Sequence, residues 1–539
     1  MSTVMTLLRQ RIRRDRVTVT IWVASTGFLA LVSAIGVAKQ YATDADREGI
    51  MQVAVANPTI LLLRGLPAGT DLDQFIFFEI FTFLALMAAL MSTFLAVRHS
   101  RAEEEAGRAE LISSTPAART APTVATILHG VLANLALAAL VALGFIAAGL
   151  EPVGSVVTGL AAGATGVVFL GVALLAAQFM RSPRGANSIS VALVLVAFFL
   201  RGVGDALGTP SADGLHMTSA WPSWLSPIGW AQHVDAFGSN NLTPLLLHVA
   251  LAALTVVAVF ALQARRDTGA SIFAGRPGRA TASRSLSSSF GLAWRLQTSS
   301  LIGWAIGGAA CGLFAGSLSA LVVTAAESSP VIGESLQAIS GPGTSIDQAL
   351  ISVMFSIAGM LAASAAIQAV IRMRQEESSG TAELILASPV SRVRWFVDYL
   401  VVGFVAIVAV LLSAAVVSTL SVFATGADAS LARDSFAAAA AQLPAALVFL
   451  GLLALVFTLL PAITTGLGWG LLGALGFIGI FGPLLGLDEA VTRISPFANT
   501  PILFGDDIDL SGAFWMLGIT VVSLVLASIV MRGRALRST

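Results

Sequence analysis

The sequence predicts an all-α integral membrane protein with about twelve transmembrane helices, divided between two halves of about six helices each. Three observations predict this class. Of the 539 residues, 56% are hydrophobic and only 11% are charged, which is typical of membrane proteins. Apolar stretches long enough to cross a lipid layer recur along the whole chain. A charged sequence also occurs twice, once in each half.

The apolar stretches fall into two groups of similar length and spacing. Each has about 20 residues or more, the length that a helix needs to cross a hydrocarbon layer about 30 Å thick. A large soluble helical protein would instead have helices with one apolar and one polar face. The first group lies near 17–38, 75–97, 122–149, 155–179, 187–207 and 243–263, and the second near 301–324, 349–371, 397–425, 436–460, 463–485 and 512–531.

Short landmarks recur in the same order in both groups and predict a parallel repeat. Asp73-Gln74 precedes the second stretch of the first group, and Asp347-Gln348 precedes that of the second. Ser226-Pro227 and Ser495-Pro496 precede the last stretch of each group. With an even number of spans, both halves face the same way across the membrane. The predicted domains are a first transmembrane half 1–263, a Gly/Ser/Arg-rich linker 264–293 and a second half 294–539.

Arginine is concentrated in alternate loops, which predicts how the chain is oriented. This bias places both termini, the linker and both copies of the charged sequence on the cytoplasmic side. Acidic residues dominate the loops on the other side, including the mixed loop 39–74, where Pro58 and Pro67 disfavour one continuous helix. Residues 292–297, which follow the linker, are expected to form an interfacial helix. The formal net charge is zero, so charge gives no reason to expect a nucleic-acid partner.

The repeated charged sequence is the most informative motif. The first charged segment, 101–119, reads RAEEEAGRAELISSTPAAR, and the second charged segment, 374–392, reads RQEESSGTAELILASPVSR. Taken as one helix, each copy has a stripe of acidic residues and a glycine where another backbone could approach, and a proline ends the helix. A charged stretch is usually only a solvated face, but its recurrence predicts a docking surface presented twice. The shared positions are Arg101, Glu103, Glu104, Gly107, Glu110, Leu111 and Pro116, and Arg374, Glu376, Glu377, Gly380, Glu383, Leu384 and Pro389.

The two charged segments resemble the coupling-helix region of ABC-2-type exporter permeases, with its pattern Arg-x-Glu-Glu-x-x-Gly-x-x-Glu-Leu followed by Ser/Thr-Pro. Nearly the whole chain is similar to the fused twelve-span permeases for polyketide antibiotics, the tetronasin-type multidrug efflux group of actinobacteria. The sequences GRPGRA and GLAWRLQ fit that group. The resemblance implies a bacterial plasma-membrane protein built from two six-helix, type G-like exporter repeats, each with a coupling helix between its spans two and three. It also implies that the shared positions dock two copies of an ABC ATPase.

The chain itself has no residues for hydrolysing a nucleotide. A phosphate-binding P-loop needs Gly-Lys-Ser/Thr, and Lys39, which lies between Ala38 and Gln40, is the only lysine. Cys311 is the only cysteine, and the five histidines show no metal-binding spacing. We therefore expect no catalytic site, metal or cofactor on this chain. The resemblance implies that ATP and Mg²⁺ bind to the partner ATPase.

Ionisable and aromatic residues within the apolar stretches are candidates for a substrate path or a gate. Arg201 and Asp205 are four residues apart and can pair on one helix face, as a structural ion pair or as part of a gate. Glu79 needs a partner or water, or it faces the substrate. His129 is interpreted as a satisfied packing residue. The candidates are Phe78, Glu79, Phe81, Phe198, Arg201, Asp205, Trp221, Trp224, Phe477 and Phe481.

These features predict the permease subunit of an ATP-driven exporter, and not an enzyme. It would move hydrophobic or amphipathic compounds outward by alternating access, with an ATPase, membrane lipid and the small-molecule substrate as partners. An ion-coupled secondary drug transporter is the alternative, and it predicts transport without an ATPase. A membrane enzyme or assembly scaffold would show clustered polar catalytic residues.

Overall fold

Helices make up nearly all of the structure described for this chain. The computed structural model describes residues 3–56, 58–265, 281, 283–317, 346–426, 428–481, 488–501 and 509–534. Within these ranges, 12 helices are long and apolar enough to cross a membrane. The predicted all-α integral membrane fold is therefore confirmed. The chain divides into two compact units, Met1–Pro277 and Gly278–Thr539.

Unit 1 contains six of the candidate spans and several short elements between them. Its first helix is one continuous rod that includes the arginine-rich start of the chain. Its elements are α1 (Thr3–Gln40), α2 (Asp44–Ala56), α3 (Pro58–Leu63), α4 (Leu72–Arg98), α5 (Arg101–Glu105), α6 (Arg108–Ser113), α7 (Ala121–Ala147), α8 (Pro152–Phe179), α9 (Pro183–Ala206), β1 (Thr209–Pro210), β2 (Met217–Thr218), a 3-10 turn (Trp221–Leu225), α10 (Pro227–Gln232) and α11 (Leu245–Ala264). The two strands pair as a small antiparallel hairpin.

Unit 2 contains the other six candidate spans. Its elements are a 3-10 turn (Arg284–Leu286), α12 (Ser289–Ser317), α13 (Ile346–Ser378), α14 (Thr381–Leu386), α15 (Arg392–Thr425), α16 (Ser430–Leu459), a 3-10 turn (Pro461–Ile463), α17 (Thr464–Phe481), α18 (Glu489–Thr492), a 3-10 turn (Pro496–Asn499) and α19 (Ser511–Gly533).

The same pairs of spans pack together inside each unit. Counted in order within a unit, span one packs on span three, span two on span four, span three on span four, and span four on span six. Spans two and four are the most enclosed, because each packs against several neighbours. The outward faces of the other spans carry exposed Leu, Ile, Val and Phe side chains, which suit contact with lipid.

Small residues allow spans one and three to approach closely in both units. A Cβ atom added at Gly312 of α12 would lie 2.0 Å from the carbonyl oxygen of Ala414 in α15. In unit 1, a Cβ atom at Gly144 of α7 would lie 2.8 Å from the carbonyl oxygen of Gly27 in α1. Helices in a membrane associate largely through such close backbone packing, since lipid competes for their apolar surface.

The structure corrects one expectation about the connecting segments and bears out another. Residues 292–297 belong to the continuous helix α12, so they do not form a separate interfacial helix. The loop 39–74 is not one continuous helix, because residues 64–71, which include Pro67, are not helical; this agrees with the prediction from the prolines. Residues 266–280 and 282, most of the predicted linker, lie outside the described residues.

Both Ser-Pro landmarks begin a short helical turn and are held in the same way. The Ser226 hydroxyl accepts hydrogen bonds from the backbone N–H groups of Ile228 and Gly229 and donates to the Ala197 carbonyl at 2.7 Å. The Ser495 hydroxyl accepts from Phe497 N–H and donates to the Leu475 carbonyl, also at 2.7 Å. In each unit the serine thus caps a turn and ties it to the preceding span.

Candidate functional site: the two charged segments

A glycine in a left-handed conformation interrupts the helix in each charged segment. Gly107, with φ 69°, separates α5 from α6, and Gly380, with φ 74°, separates α13 from α14. The prediction of one continuous helix is therefore wrong. Because the backbone turns at the glycine, the acidic residues before and after it do not share one stripe.

The reason for glycine at these positions also differs from the expectation. Among the described residues, no heavy atom beyond the glycine and its chain neighbours lies within 4 Å of a Cβ built on Gly107 or on Gly380. Close approach of another backbone is thus not what requires glycine in this structure. These positions require glycine for its backbone freedom, because L-residues adopt positive φ only at a cost in free energy.

After each glycine the chain presents an exposed glutamate followed by an exposed leucine. Leu111 is 71% exposed and Leu384 is 78% exposed, beside the exposed Glu110 and Glu383. We call these residues the exposed Glu-Leu pairs. A large apolar side chain on the surface at the same place in both segments suits contact with another protein.

Before the glycine, the acidic residues of the first charged segment form ion pairs within unit 1. Glu103 Oε1 lies 2.5 Å from Arg14 Nη1 of α1, and Glu103 Oε2 lies 2.7 Å from Arg108 Nε. Glu104 pairs with Arg101, whose side chain is buried. Both carboxylates keep some exposed surface.

The matching acidic residues of the second charged segment lie in the interior of unit 2. Glu376 is 7% exposed; it pairs with Arg372 at 2.5 Å and accepts a hydrogen bond from the Thr381 hydroxyl at 2.5 Å. Glu377 is 2% exposed and lies 2.6 Å from Arg534 Nη2. The structure thus corrects the expectation that Glu376 and Glu377 form part of the docking surface, because internal partners take up their carboxylates.

The remaining shared positions flank these features. Arg374 is half-buried and faces Glu377, with 3.8 Å between their charged atoms. Pro116 and Pro389 are exposed and follow helices that end at Ser113 and Leu386. The docking of an ATPase by the exposed positions stays a prediction.

A buried polar cluster beside the first charged segment was missed by the sequence analysis. His99 Nε2 contacts Asp15 Oδ2, and His129 Nε2 lies 3.5 Å from the same oxygen. The interpretation of His129 as a satisfied packing residue stays a prediction. The three side chains could approach a metal ion, but Arg98 Nη2 lies 3.0 Å from Asp15 Oδ1 and already balances its charge. Arg11, which donates to the His99 carbonyl, adds a second positive charge that disfavours a dication.

A cavity of about 100 Å³ lies beside the first charged segment and is also lined by residues of α1, α7, α8 and α11. Its lining is of mixed charge, with Arg11, Arg119, Glu103 and Glu104, and it also includes Gln178. Such a polar lining suits several water molecules.

Comparison with known proteins places the chain in a family. A family model described as the C-terminal domain of the multidrug efflux system permease Rv1217c matches residues 286–532. The multidrug efflux system permease protein Rv1217c of Mycobacterium tuberculosis (strain ATCC 25618 / H37Rv) is 33% identical over 535 residues, which cover 98% of this chain and 95% of that protein. The chain belongs to the Rv1217c family of multidrug efflux permeases. It is thus a multi-pass membrane transport protein of the efflux type. A permease that is one component of an efflux system works with partner subunits.

For a permease of the Rv1217c family, the charges within the spans are candidates for a transport path. The predicted pair is present: Arg201 Nη1 lies 3.1 Å from Asp205 Oδ2, and both side chains are fully buried in unit 1. Arg201 also donates to the carbonyl oxygens of Leu61 and Leu62 at the end of α3, at 3.1 and 2.6 Å. Asp205 accepts hydrogen bonds from the side chains of Ser219 and Gln232. One ion pair thus joins α9 to α3, to the segment after the hairpin and to α10. Glu79 pairs instead with Arg64, which follows α3.

The aromatic candidates divide between the interior and the surface. Phe78 and Phe81 are buried in unit 1, and Phe81 stacks on Phe77 with ring centroids 4.5 Å apart. Phe198 is buried beneath the Arg201 guanidinium, whereas Phe477 is exposed. The side chain of Phe481 lies outside the described residues.

The tryptophans of the segment 221–230 lie at the surface of unit 1. Trp221 and Trp224 are exposed. Trp224 stacks on His233 with ring centroids 4.4 Å apart, and burial lowers the pKa of His233. A neutral imidazole stacks as an aromatic ring, so this contact is apolar at neutral pH.

Proposed function

We propose that this chain is the membrane subunit of an ATP-driven exporter of the ABC-2 type. It supplies both transmembrane halves, as two parallel six-helix repeats, and binds two copies of a separate ABC ATPase on the cytoplasmic side of a bacterial plasma membrane. Both of its termini face the cytoplasm. ATP and Mg²⁺ act on the ATPase. The cargo is a group of hydrophobic or amphipathic compounds such as antibiotics. This is the cargo expected of a permease of the tetronasin-type efflux group.

The observation that carries this proposal is the exposed Glu-Leu pair that follows a left-handed glycine in both charged segments. An exposed leucine is stabilised by burial against a partner, and two equivalent leucines suit a partner present in two copies. The common packing order of spans in the two units supports two equivalent halves. Lys39, the only lysine, lies outside any P-loop sequence, which supports a separate source of hydrolysis.

Transport by this subunit proceeds through alternating access. A nucleotide-driven movement of the ATPases shifts the docked segments, and the spans attached to them change the side on which the substrate site opens. Work is done only if the substrate binds the two states with different affinities, so the outward-open state must bind it more weakly.

One observation favours an ion-coupled secondary transporter instead. Asp15, His99 and His129 form a buried titratable cluster in unit 1, a kind of site that proton-coupled transporters use. The pairing of Asp15 with Arg98 at 3.0 Å weakens this alternative. The nearby positive charge stabilises the ionised carboxylate, which then takes up a proton less readily.

The test compares two double variants that add the same charges. Leu111→Asp with Leu384→Asp alters both exposed leucines, whereas Ser114→Asp with Ala387→Asp alters exposed residues at matching positions three residues further on. We expect the leucine variant to lose co-purification with the co-expressed ATPase and ATP-dependent drug transport in proteoliposomes. The control variant should keep both. Transport by the purified chain alone, driven by a proton gradient, would favour the ion-coupled alternative.

A further inference from the structure

The chain of unit 1 folds back along span five before it enters span six. Ala220 N–H donates to the carbonyl oxygen of Gly204 at 2.8 Å, near the end of α9. The Ser226 hydroxyl donates to the carbonyl oxygen of Ala197 at 2.7 Å, seven residues earlier in the same helix. Between these two hydrogen bonds the chain therefore returns by about 10 Å along α9. Residues 220–226 lie beside a transmembrane helix and not beyond its end.

The returning segment packs one face against α9 and leaves the other face exposed. A Cβ atom added at Gly204 would lie 2.1 Å from the backbone nitrogen of Ser223, so glycine permits this close contact. Pro222 and Ser223 are buried. The exposed side chains, which we call the aromatic face, are those of Trp221, Trp224 and Leu225.

The aromatic face lies next to the lipid-facing stripe of span five. Exposed apolar side chains recur every three or four residues along α9 and at its end, which places them on one face of the helix. Gly204 and Ala197, which hold the returning segment, each follow a residue of this stripe by one position, about 100° around the helix. The stripe consists of Val196, Phe199, Val203 and Leu207. The exposed apolar surface of the span thus continues onto the returning segment.

The indole N–H groups indicate the depth at which the aromatic face lies. Among the described residues, neither Trp221 nor Trp224 has an acceptor for its indole N–H. Trp230 does, since its Nε1 donates to the carbonyl oxygen of Trp224 at 2.6 Å. An unpaired N–H group is costly in hydrocarbon, whereas lipid headgroups offer ester and phosphate oxygens as acceptors. Rings with an apolar body and a polar N–H suit the boundary between the two layers.

The neighbouring hairpin faces water. Asp213 and His216, in the loop between β1 and β2, are exposed and lie 3.2 Å apart. Charged groups are costly in hydrocarbon, so this loop lies outside the lipid layer. The hairpin is also at the opposite end of α9 from the first charged segment, because α8, which precedes α9, ends in Gln178 and Phe179 beside the cavity at that segment.

We propose that the aromatic face is a lipid-binding surface. Trp221 and Trp224 hold the end of span five at the boundary between headgroups and hydrocarbon, in the leaflet opposite the charged segments. They therefore anchor unit 1 in the membrane and do not line a substrate path or a gate. The anchor is joined to the buried ion pair of α9, because the hydroxyl of Ser219 donates to Asp205. This inference goes beyond the proposed function and does not depend on ATPase docking.

Nitroxide labels on the full chain, reconstituted in vesicles of phosphatidylethanolamine and phosphatidylglycerol, measure the depth. Cys311→Ser removes the only cysteine, and Trp221→Cys or Trp224→Cys then places one label on the aromatic face. Phe199→Cys on the lipid-facing stripe and Asp213→Cys in the hairpin are the references. Power saturation compares collisions with oxygen, which is enriched in hydrocarbon, and with a water-soluble nickel chelate. We expect the oxygen-to-nickel ratio at 221 and 224 to lie between those of the two references.

Two outcomes of the labelling experiment overturn the proposal. A ratio at 221 and 224 equal to that at 213 places the aromatic face in water. Few collisions with both reagents place it against protein, as expected for a gate or for contact with another part of the chain. Leu225→Cys keeps both tryptophans and should also give a ratio between the references, which shows that loss of one ring does not set the result.

Tryptophan fluorescence tests the native side chains. Lipids brominated on the acyl chain near the headgroup quench those rings that lipid can reach. We expect Trp221→Phe with Trp224→Phe to lower the quenched fraction of the fluorescence. Trp395→Phe removes a ring that is only 1% exposed and should not lower it. An unchanged quenched fraction in the double variant would show that lipid does not contact the aromatic face.

Discussion

The first and second charged segments have the same backbone turn and the same exposed residues, but different surroundings for their acidic residues. Both turn at a left-handed glycine and expose a leucine after it. Glu104 has 15% of its side chain exposed, whereas the side chain of Glu377, at the matching position, is 0% exposed. Some residues that are identical in the two segments therefore have the same environment in both units, whereas others have different environments.

The spans show a similar inequality between the units. Span five of unit 1, α9, carries the buried pair Arg201–Asp205, which joins several segments through hydrogen bonds. Span five of unit 2, α17, has no ionisable residue in its sequence. At span five, unit 1 is thus held by an ion pair and side-chain hydrogen bonds. The described part of unit 2 is held there by apolar packing and a serine cap.

The largest effect is expected at this buried pair. Arg201→Met leaves Asp205 buried without its cation and frees the carbonyls at the end of α3, which should lower the free energy of unfolding by about 3–5 kcal/mol. Arg184→Met, at an exposed position of the same helix, should change it by less than about 0.5 kcal/mol. Thermal and SDS unfolding of the purified protein in detergent measure both. Equal stability of the two variants would show that the ion pair does not hold unit 1 together.

An intermediate and equal effect is expected at the two glycines. Gly107→Ala and Gly380→Ala should each cost about 1–2 kcal/mol, because both residues have positive φ and no neighbour that a methyl group would meet. Gly107→Asn and Gly380→Asn should cost less, since asparagine tolerates this conformation. The same unfolding measurements apply. A clear difference in the stability lost by Gly107→Ala and by Gly380→Ala would show that the two backbone turns are not equivalent.

The smallest effect is expected at Arg108, where the second charged segment has threonine. Arg108→Thr makes the first copy resemble the second, in which Thr381 supplies the bond to Glu376. The change should leave the unfolding midpoint nearly unchanged, because Arg108 is exposed and its pair is screened by solvent. A much larger loss of stability would mean that threonine does not replace arginine, and the two segments would then differ in their internal bonds as well.

Much of the fold could be predicted from the sequence, because it depends on local signals. Length and apolarity alone locate the twelve candidate spans. The spacing of Arg201 and Asp205 on one helix face predicted their pairing, and the prolines predicted that the loop 39–74 is not one continuous helix. Each of these inferences needs only residues close together in the chain.

The parts that failed depend on residues far apart in the chain. Glu377 is buried because Arg534 approaches it from the last helix, and Asp15 meets His99 and His129 only after three spans have packed. Glycine also has two distinct uses, close approach and positive φ, which its identity cannot distinguish. At Gly107 and Gly380 the backbone conformation decided between them.

The serine caps at Ser226 and Ser495 have a consequence for hydration. Each hydroxyl uses its proton and at least one lone pair on backbone groups of its own unit, so it needs no water. A folded-back turn of this kind can rest against apolar surface without drawing solvent inward. Each turn therefore stays dry at its serine, which suits a chain reversal in a membrane protein, where backbone polar groups must be satisfied internally.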